Sequence, residues 1–174
     1  GGNIANASPA ADSVVPLVAL DAIVTVVSSH QVKEVPLSDL LCGVGKTILA
    51  GNELITEISF KLPSVNAKSA FIKFGRRNAL AIARLSVALL VEKDGEKIVD
   101  ARAALGAVAP NPFRSKEIEE MLLNKYEKQL ESEAIIDNAT HVVSRVLGNR
   151  PSAKWKNEAI RGLMREAFNK LHLM

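Results

Sequence analysis

Apolar and polar positions change their spacing along the chain. In the first part the apolar runs are short and rich in Val and Ile. The runs Ala22 to Ser28 and Gln31 to Pro36 predict a β-hairpin, and the alternation in Leu54 to Phe60 predicts a half-buried strand. Before them, apolar residues at helical spacing predict a short helix from Ser13 to Leu20, with Asp12 as its N-cap.

The second part of the chain passes from strands to helices. An Asp94-Gly95 pair between two apolar runs indicates a tight hairpin. Three antiparallel strands are predicted over Ser69 to Phe74, Leu85 to Glu92 and Lys97 to Val108. Three helices are predicted over Lys116 to about Asn124, Glu131 to Leu147 and about Ala153 to Leu171.

This order of elements predicts an α+β fold, because strands and helices occupy separate stretches of the sequence. The Pro, Ser and Asn residues within Lys61 to Lys68 favour a linker, so we place a domain boundary there. Residues 1–62 would form a short helix with a hairpin and a strand. Residues 63–174 would form a three-stranded antiparallel sheet packed on a helical bundle.

The composition is that of an ordinary globular protein, with 48% hydrophobic and 24% charged residues among 174. This excludes disordered and collagen-like chains. No apolar run approaches the roughly 20 residues that cross a bilayer, so we expect no membrane span. The single cysteine, Cys42, allows no disulfide within the chain and indicates a cytoplasmic location.

The charge pattern argues against nucleic acid as the main partner. The net charge is only +3, and aromatic residues make up 4% of the chain. Single-strand binders need stacking rings, and duplex binders usually carry a basic stripe. The nearest approach to such a stripe is Lys73 with Arg76, Arg77 and Arg84.

Local motifs predict neither a catalytic group nor a metal site. None of the three histidines has the spacing of a metal-binding pair. Residues 45–47, Gly-Lys-Thr, imitate the end of a phosphate-binding loop, but Leu40 stands where that motif requires glycine. We therefore expect no nucleotide hydrolysis.

The opening segment is the strongest local signal for ligand binding. Its residues are small or turn-forming, which predicts a loop. Gly1 and Gly2 expose backbone N–H groups, Asn3 offers an amide, Ser8 a hydroxyl and Asp12 a carboxylate. Together they could hold a phosphate, a ribose or a ribityl chain. The same residues also suit a simple turn followed by a helix cap.

Five segments of the chain resemble segments of one family, in the order in which they occur in that family. GGNIANASPAADSVVPLVAL resembles a flavin-contact segment of the FAD-binding medium subunit of the molybdenum hydroxylases, the xanthine dehydrogenase and carbon monoxide dehydrogenase family. KTILAGNELITEISF resembles the strand that closes this FAD domain. SAFIKFGRRNALAIARLSVAL and DARAALGAVAPNPFRSKEIEEML resemble its C-terminal domain, and RPSAKWK resembles the start of its last helix.

The resemblance implies several contacts to FAD. Residues 1–3 would supply backbone and amide contacts, and Asp12 would hydrogen-bond the cofactor. Ile55 would pack against a ring, and Lys73 would reach toward the flavin, where its charge balances that of the cofactor.

The sequence departs from the family pattern at three positions. The family usually has a polar residue near Ala11 and often has Thr at Asn6, and Trp155 stands where we expect Tyr. Arg76 and Arg77 are assigned to structure or subunit contact.

By resemblance, the chain is the C-terminal portion of a flavin subunit that begins after the loop holding the FAD pyrophosphate, so it would hold only part of the cofactor. FAD would take electrons from iron–sulfur clusters and pass them to NAD or oxygen. The molybdenum cofactor and the 2Fe–2S clusters would lie only in a molybdenum-binding and an iron–sulfur partner subunit. The alternatives are a non-catalytic α+β protein-interaction module and, less favoured by composition, a nucleic-acid binder.

Overall fold

A computed structural model describes residues 1–77 and 81–173. The first part of the chain consists of short elements. Its helices are α1 (Gly2–Ala5), α2 (Val14–Ala19) and α3 (Leu37–Leu40). Its strands are β1 (Ile23–Val27), β2 (Val32–Pro36), β3 (Leu41–Gly43), β4 (Lys46–Thr47) and β5 (Leu54–Ser59).

A small antiparallel sheet with the order β2-β1-β5 forms the body of this first part. The predicted hairpin joins β1 to β2. Side chains alternate across the sheet, so Val24 and Val26 are buried. Val27 pairs with Val32 on one side and Leu54 on the other. Val32 and Leu54 are 67% and 71% exposed, so this end of the sheet presents apolar surface.

Two local predictions are wrong, and one element was not predicted. The opening segment is not all loop, because Gly2–Ala5 form a helical turn. Asp12 does not cap α2: Ser13 occupies the N-cap position, and no side chain makes a capping hydrogen bond there. The β3–β4 ribbon carries the Gly-Lys-Thr sequence, which is therefore not a phosphate loop.

The second part has longer elements. Its strands are β6 (Ala67–Phe74), β7 (Leu85–Asp94), β8 (Lys97–Gly106) and β9 (Phe113–Arg114). Its helices are α4 (Lys116–Leu122), α5 (Ser132–Leu147) and α6 (Ala153–Leu171), with a 3-10 turn at Glu127–Gln129.

These strands form one antiparallel sheet with the order β6-β7-β8-β9. The three predicted strands are present, and the structure adds the two-residue strand β9 at one edge. The β7–β8 hairpin turns at Gly95, whose φ of 61° suits glycine. Strand β6 begins at Ala67, inside the predicted linker.

The sheet is covered on both faces, so β7 is almost continuously buried. Large side chains such as Leu89 and Leu105 face α4, α5 and α6, where Phe168 is among the largest buried residues. The opposite face carries the small Ala88 and Ala104, which join the apolar cluster of the first part around α2.

Gly106 allows α2 to lie close to this second face. A Cβ added there would lie 2.4 Å from both Ser86 Oγ and Val15 Cγ2. The two parts of the chain are therefore in direct contact at the end of β8. Within the described residues, no helix combines the length and apolar composition that a bilayer crossing requires.

Candidate functional site

The opening segment lies on the surface with open space above its glycines. Gly1 and Gly2 are exposed, and a Cβ added to either would meet no atom within 4 Å. The carbonyl oxygen of Gly1 accepts hydrogen bonds from the amides of Ile4 and Ala5 at 3.0 and 2.9 Å. Since Ile4 is buried, it anchors the segment beneath this open space.

Asn3 is fixed by the residue that precedes α2. Its Oδ1 accepts a hydrogen bond from the hydroxyl of Ser13 at 2.5 Å and faces the Ser13 amide at 3.4 Å. Both residues are exposed. The amide predicted to bind a ligand is therefore held in one orientation at the protein surface.

Asp12 and Lys73 form an ion pair between the two parts of the chain. Lys73 Nζ lies 2.5 Å from Asp12 Oδ2 and donates to the carbonyl of Ala81 at 3.0 Å. The two side chains remain 33% and 49% exposed, for Lys73 and Asp12 respectively. The structure thus brings together two of the predicted cofactor-binding residues, next to Ser13 and Asn3.

Two backbone contacts hold the opening segment in place. The amide of Ala107 donates to the carbonyl of Pro9, and the amide of Gly45 donates to Ala7, each at 2.9 Å. Ala7 and Ala107 have φ values of 45° and 60°, which non-glycine residues seldom adopt. Such conformations persist where surrounding contacts impose them, often beside functional sites.

The other two predicted site residues have local or apolar contacts. The hydroxyl of Ser8 accepts from the amide of Ala10 at 3.3 Å, which closes a turn within the segment. Ile55 lies on β5 opposite Val26 and packs against the apolar cluster that contains Ile4.

A cavity of about 720 Å³ adjoins this cluster. Two residues that line it also contact the cluster or the opening segment. The carbonyl of Ala81 accepts a hydrogen bond from Lys73, and the amide of Ala107 donates to Pro9 of the opening segment. Its cationic and aromatic lining residues are Arg76, Arg77, Arg84, Trp155 and Lys156. None of the described lining residues is acidic, so the cavity attracts anions.

Two cations of this cavity lie over the ring of Trp155. The guanidinium of Arg84 lies 5.1 Å from the Trp155 ring centroid, and Lys156 Nζ lies 5.5 Å from it, within the range of cation–π attraction. Lys156 also donates to the carbonyl of Ala107. Burial, together with nearby Arg84 and Arg150, lowers the pKa of Lys156.

Sequence reasoning missed this cavity. The sequence marks Arg84 only as part of a weak basic stripe, and Trp155 only as a departure from a family pattern. The available signal was the concentration of three arginines within residues 76–84. Nothing local indicated that residues 152–156 would close the same cavity.

Protein-family models match consecutive parts of the chain. The FAD binding domain in molybdopterin dehydrogenase matches residues 1–63, and the CO dehydrogenase flavoprotein C-terminal domain matches residues 69–171, more than half of the chain. The chain belongs to the flavoprotein family of the molybdenum hydroxylases. The predicted resemblance is confirmed.

Several relatives of this flavoprotein are similar over nearly its whole length. The nicotinate dehydrogenase FAD-subunit of Eubacterium barkeri is 28% identical over 97% of the chain and 58% of its own length. The glyceraldehyde dehydrogenase medium chain of Sulfolobus acidocaldarius is 31% identical over 98% of the chain and 60% of its own length. The chain thus spans less than two thirds of these relatives.

A solved structure shows the same architecture. A chain of the carbon monoxide dehydrogenase from Hydrogenophaga pseudoflava, in a form lacking the Mo-pyranopterin moiety of the molybdenum cofactor, superposes with a TM-score of 0.86 at 25% identity. The match covers 98% of this flavoprotein and 59% of that chain. The α+β fold is therefore that of the family.

Proposed function

We propose that this chain forms part of the FAD site in the flavin subunit of a molybdenum hydroxylase. The observation that carries the proposal is the cluster of Asn3, Asp12 and Lys73 beside the open space over Gly1 and Gly2. Such a cluster offers an amide, a carboxylate and an ammonium to one ligand. FAD presents phosphate and ring acceptors that suit the amide and the ammonium, and hydroxyl donors that suit the carboxylate.

The residues present fit this cofactor. Asn3 would donate to an oxygen of FAD, Asp12 would accept from a hydroxyl, and Lys73 would place positive charge beside the flavin. Ser8 and Ile55 stay predicted contacts, a hydroxyl at the segment's turn and an apolar side chain for a ring. FAD, when bound, supplies the redox chemistry, while the protein supplies position and electrostatics.

The cavity beside this cluster favours NAD over oxygen as the electron acceptor. NAD carries an anionic pyrophosphate and aromatic rings, which suit the arginines and Trp155 that line the cavity. Oxygen is small and uncharged, so it offers the arginines no anionic group to bind. The change Arg84→Gln should raise the KM for NAD and leave reoxidation by oxygen unchanged. An unchanged KM would remove the support that the cavity gives to NAD.

The metal centres belong, in this proposal, to partner subunits. Among the described residues, no group of three or more His, Cys, Asp or Glu side chains is placed to hold a metal ion. We infer an iron–sulfur partner and a molybdenum-binding partner on the family relationship. The single cysteine, which leaves no disulfide within the chain, favours the cytoplasm.

Purification tests this proposal. The protein encoded by the full open reading frame, coexpressed with the products of neighbouring genes, should show flavin and iron–sulfur absorption bands. The 174 residues alone should bind FAD weakly or not at all. A colourless preparation that does not take up added FAD would contradict the proposal and favour the non-catalytic interaction module. Tight FAD binding by the 174 residues would contradict the partial site.

A further inference from the structure

The two polar atoms of the Asn3 side chain, Oδ1 and Nδ2, differ in their hydrogen bonding. Its Oδ1 is occupied by Ser13, whose hydroxyl donates to it at 2.5 Å while the Ser13 amide lies 3.4 Å away. Because an N–H donor and a hydroxyl donor both face this atom, it must be the amide oxygen and not the nitrogen. Within residues 1–77 and 81–173, Nδ2 has no hydrogen-bond acceptor, so it is available to a ligand.

We propose that Ser13 is a positioning residue that orients Asn3, so that Asn3 offers only N–H donors to the bound cofactor. This inference rests on the proposed FAD site. It narrows the role of Asn3, since a free asparagine side chain could offer either a donor or an acceptor. The cofactor atom that meets Asn3 is then an acceptor: a phosphate oxygen, a hydroxyl oxygen of the ribityl chain or the ribose, or an oxygen or nitrogen of a ring.

The local structure indicates that this hydrogen bond positions Asn3 and contributes little to the stability of the fold. Serine is among the preferred N-cap residues, because its hydroxyl can accept from the first amides of a helix. Ser13 occupies the N-cap position of α2 but makes no such bond. Its hydroxyl is directed to Asn3 instead, and because both residues are exposed, the bond adds little to folding.

The neighbouring charges agree with an acceptor at this point of the cofactor. The carboxylate of Asp12 is engaged by Lys73, so the ion pair leaves little net negative charge beside Asn3. The Asn3 amide and the Lys73 ammonium both favour electron-rich ligand atoms. A ligand group that donates a hydrogen bond would find no free acceptor at Asn3.

Four variants of the protein from the full open reading frame test the proposal. Ser13→Ala frees the Asn3 amide to rotate, whereas Ser13→Thr keeps the hydroxyl. Asn3→Asp keeps an acceptor for Ser13 but replaces the donor by a carboxylate oxygen. Ser38→Ala is the matched control, because the exposed Ser38 hydroxyl donates, among the described residues, to the neighbouring Asp39, at 3.0 Å.

The measurement is the dissociation constant of FAD from the apoprotein, followed by flavin fluorescence. We expect Ser13→Ala to raise this constant about threefold to tenfold, the loss of one well-placed hydrogen bond. Ser13→Thr should restore tight binding, Asn3→Asp should weaken it at least as much as Ser13→Ala, and Ser38→Ala should match the wild type. Thermal melting of all four apoproteins should be unchanged.

Two results would overturn the positioning role: wild-type affinity in Ser13→Ala, or equal loss in Ser13→Thr and Ser13→Ala. A wild-type protein that binds no FAD would instead contradict the proposed function itself. Repeating the Asn3→Asp measurement with riboflavin, which lacks the phosphates and the adenosine of FAD, locates the acceptor. Loss with both ligands assigns Asn3 to the flavin ring or the ribityl chain, and loss with FAD alone assigns it to the pyrophosphate or the adenosine.

Discussion

The two parts of this molecule are stabilised differently. The second part covers one face of its four-stranded sheet with α4, α5 and α6 and buries a large apolar cluster there. The first part is made of short strands and helical turns, and its small sheet leaves Val32 and Leu54 mostly exposed. Most of the free energy of folding should therefore come from the second part.

The difference shows how the candidate site is held in place. Among the described residues, the contacts between the opening of the chain and the second part include Asp12 with Lys73, Pro9 with Ala107, and Val15 of α2 against Gly106. The apolar cluster of the first part also includes Ala88 and Ala104 of the large sheet, so these contacts fix the position of the proposed ligand-binding residues. In this proposal the second part is the scaffold of a site whose side chains come largely from the first part.

Truncation of one apolar side chain in each part should give the largest difference in unfolding free energy between the two parts. Phe168 is fully buried beneath the large sheet, whereas Leu54 is exposed on the small one. Phe168→Ala should cost about 3–5 kcal/mol of unfolding free energy, because it leaves a cavity. Leu54→Ala should change it by less than about 0.5 kcal/mol. Urea unfolding monitored by circular dichroism measures both, and equal effects would contradict the contrast.

A pair of glycine substitutions tests the contact between the parts. Gly106→Ala should destabilise the protein by about 1–3 kcal/mol, because its Cβ would overlap Ser86 and Val15. Gly162 lies within α6, and a Cβ added there meets nothing within 4 Å. Gly162→Ala should therefore stabilise by up to about 1 kcal/mol. Melting temperatures that move in the same direction for both variants would refute this close packing.

The ion pair between the parts should matter more for flavin than for stability. Its partners are partly exposed, so Asp12→Ala should change the unfolding free energy by at most about 1 kcal/mol. The same change should lower the flavin content of the protein purified from the full open reading frame. Asp39→Ala, another exposed aspartate, is the control. Unchanged flavin content in Asp12→Ala would reduce Asp12 to a structural partner of Lys73.

Acid should weaken the contact between α5 and α6 slightly. A hydrogen bond from Arg165 holds the pKa of Glu133 below its ordinary value of 4.5. The ion pair therefore stabilises the fold above pH 4.5, and this contribution is lost as the pH falls through the lowered pKa. Above pH 4.5, the Glu133→Gln variant should have a slightly lower melting temperature than the wild type. Below pH 4.5, this difference in melting temperature should shrink. A constant difference at every pH would argue against this linkage.

The longer elements could be predicted because their sequences are periodic. The bounds expected for α6, Ala153 to Leu171, are those observed, and the Asp94-Gly95 turn located the β7–β8 hairpin. The β3–β4 ribbon and β9 have only two or three residues per strand and no period to detect. Contacts with distant segments, such as Gly45 to Ala7, accompany these short elements. The domain boundary after residue 62 stays a prediction.

The residue types of the candidate site could be proposed from the sequence, but their geometry could not. The sequence indicated that Asn3 and Asp12 could bind a ligand, yet it assigned Asp12 to a helix cap. Its partner Lys73 is 61 residues away, and no local pattern reveals such a contact. The cavity likewise combines residues 76–84 with Ala107 and residues 152–156, which only the folded sheet brings together.

A crystal structure of the protein from the full open reading frame with FAD bound would test the central claim most directly. We predict that Asn3 Nδ2 and Lys73 Nζ lie within hydrogen-bond distance of the cofactor, in the space over Gly1 and Gly2. The opening segment should keep its contact with Ala107, and Val15 of α2 should keep its contact with Gly106. FAD bound elsewhere, with that space empty, would contradict the claim that the second part holds the opening segment as a wall of the flavin site.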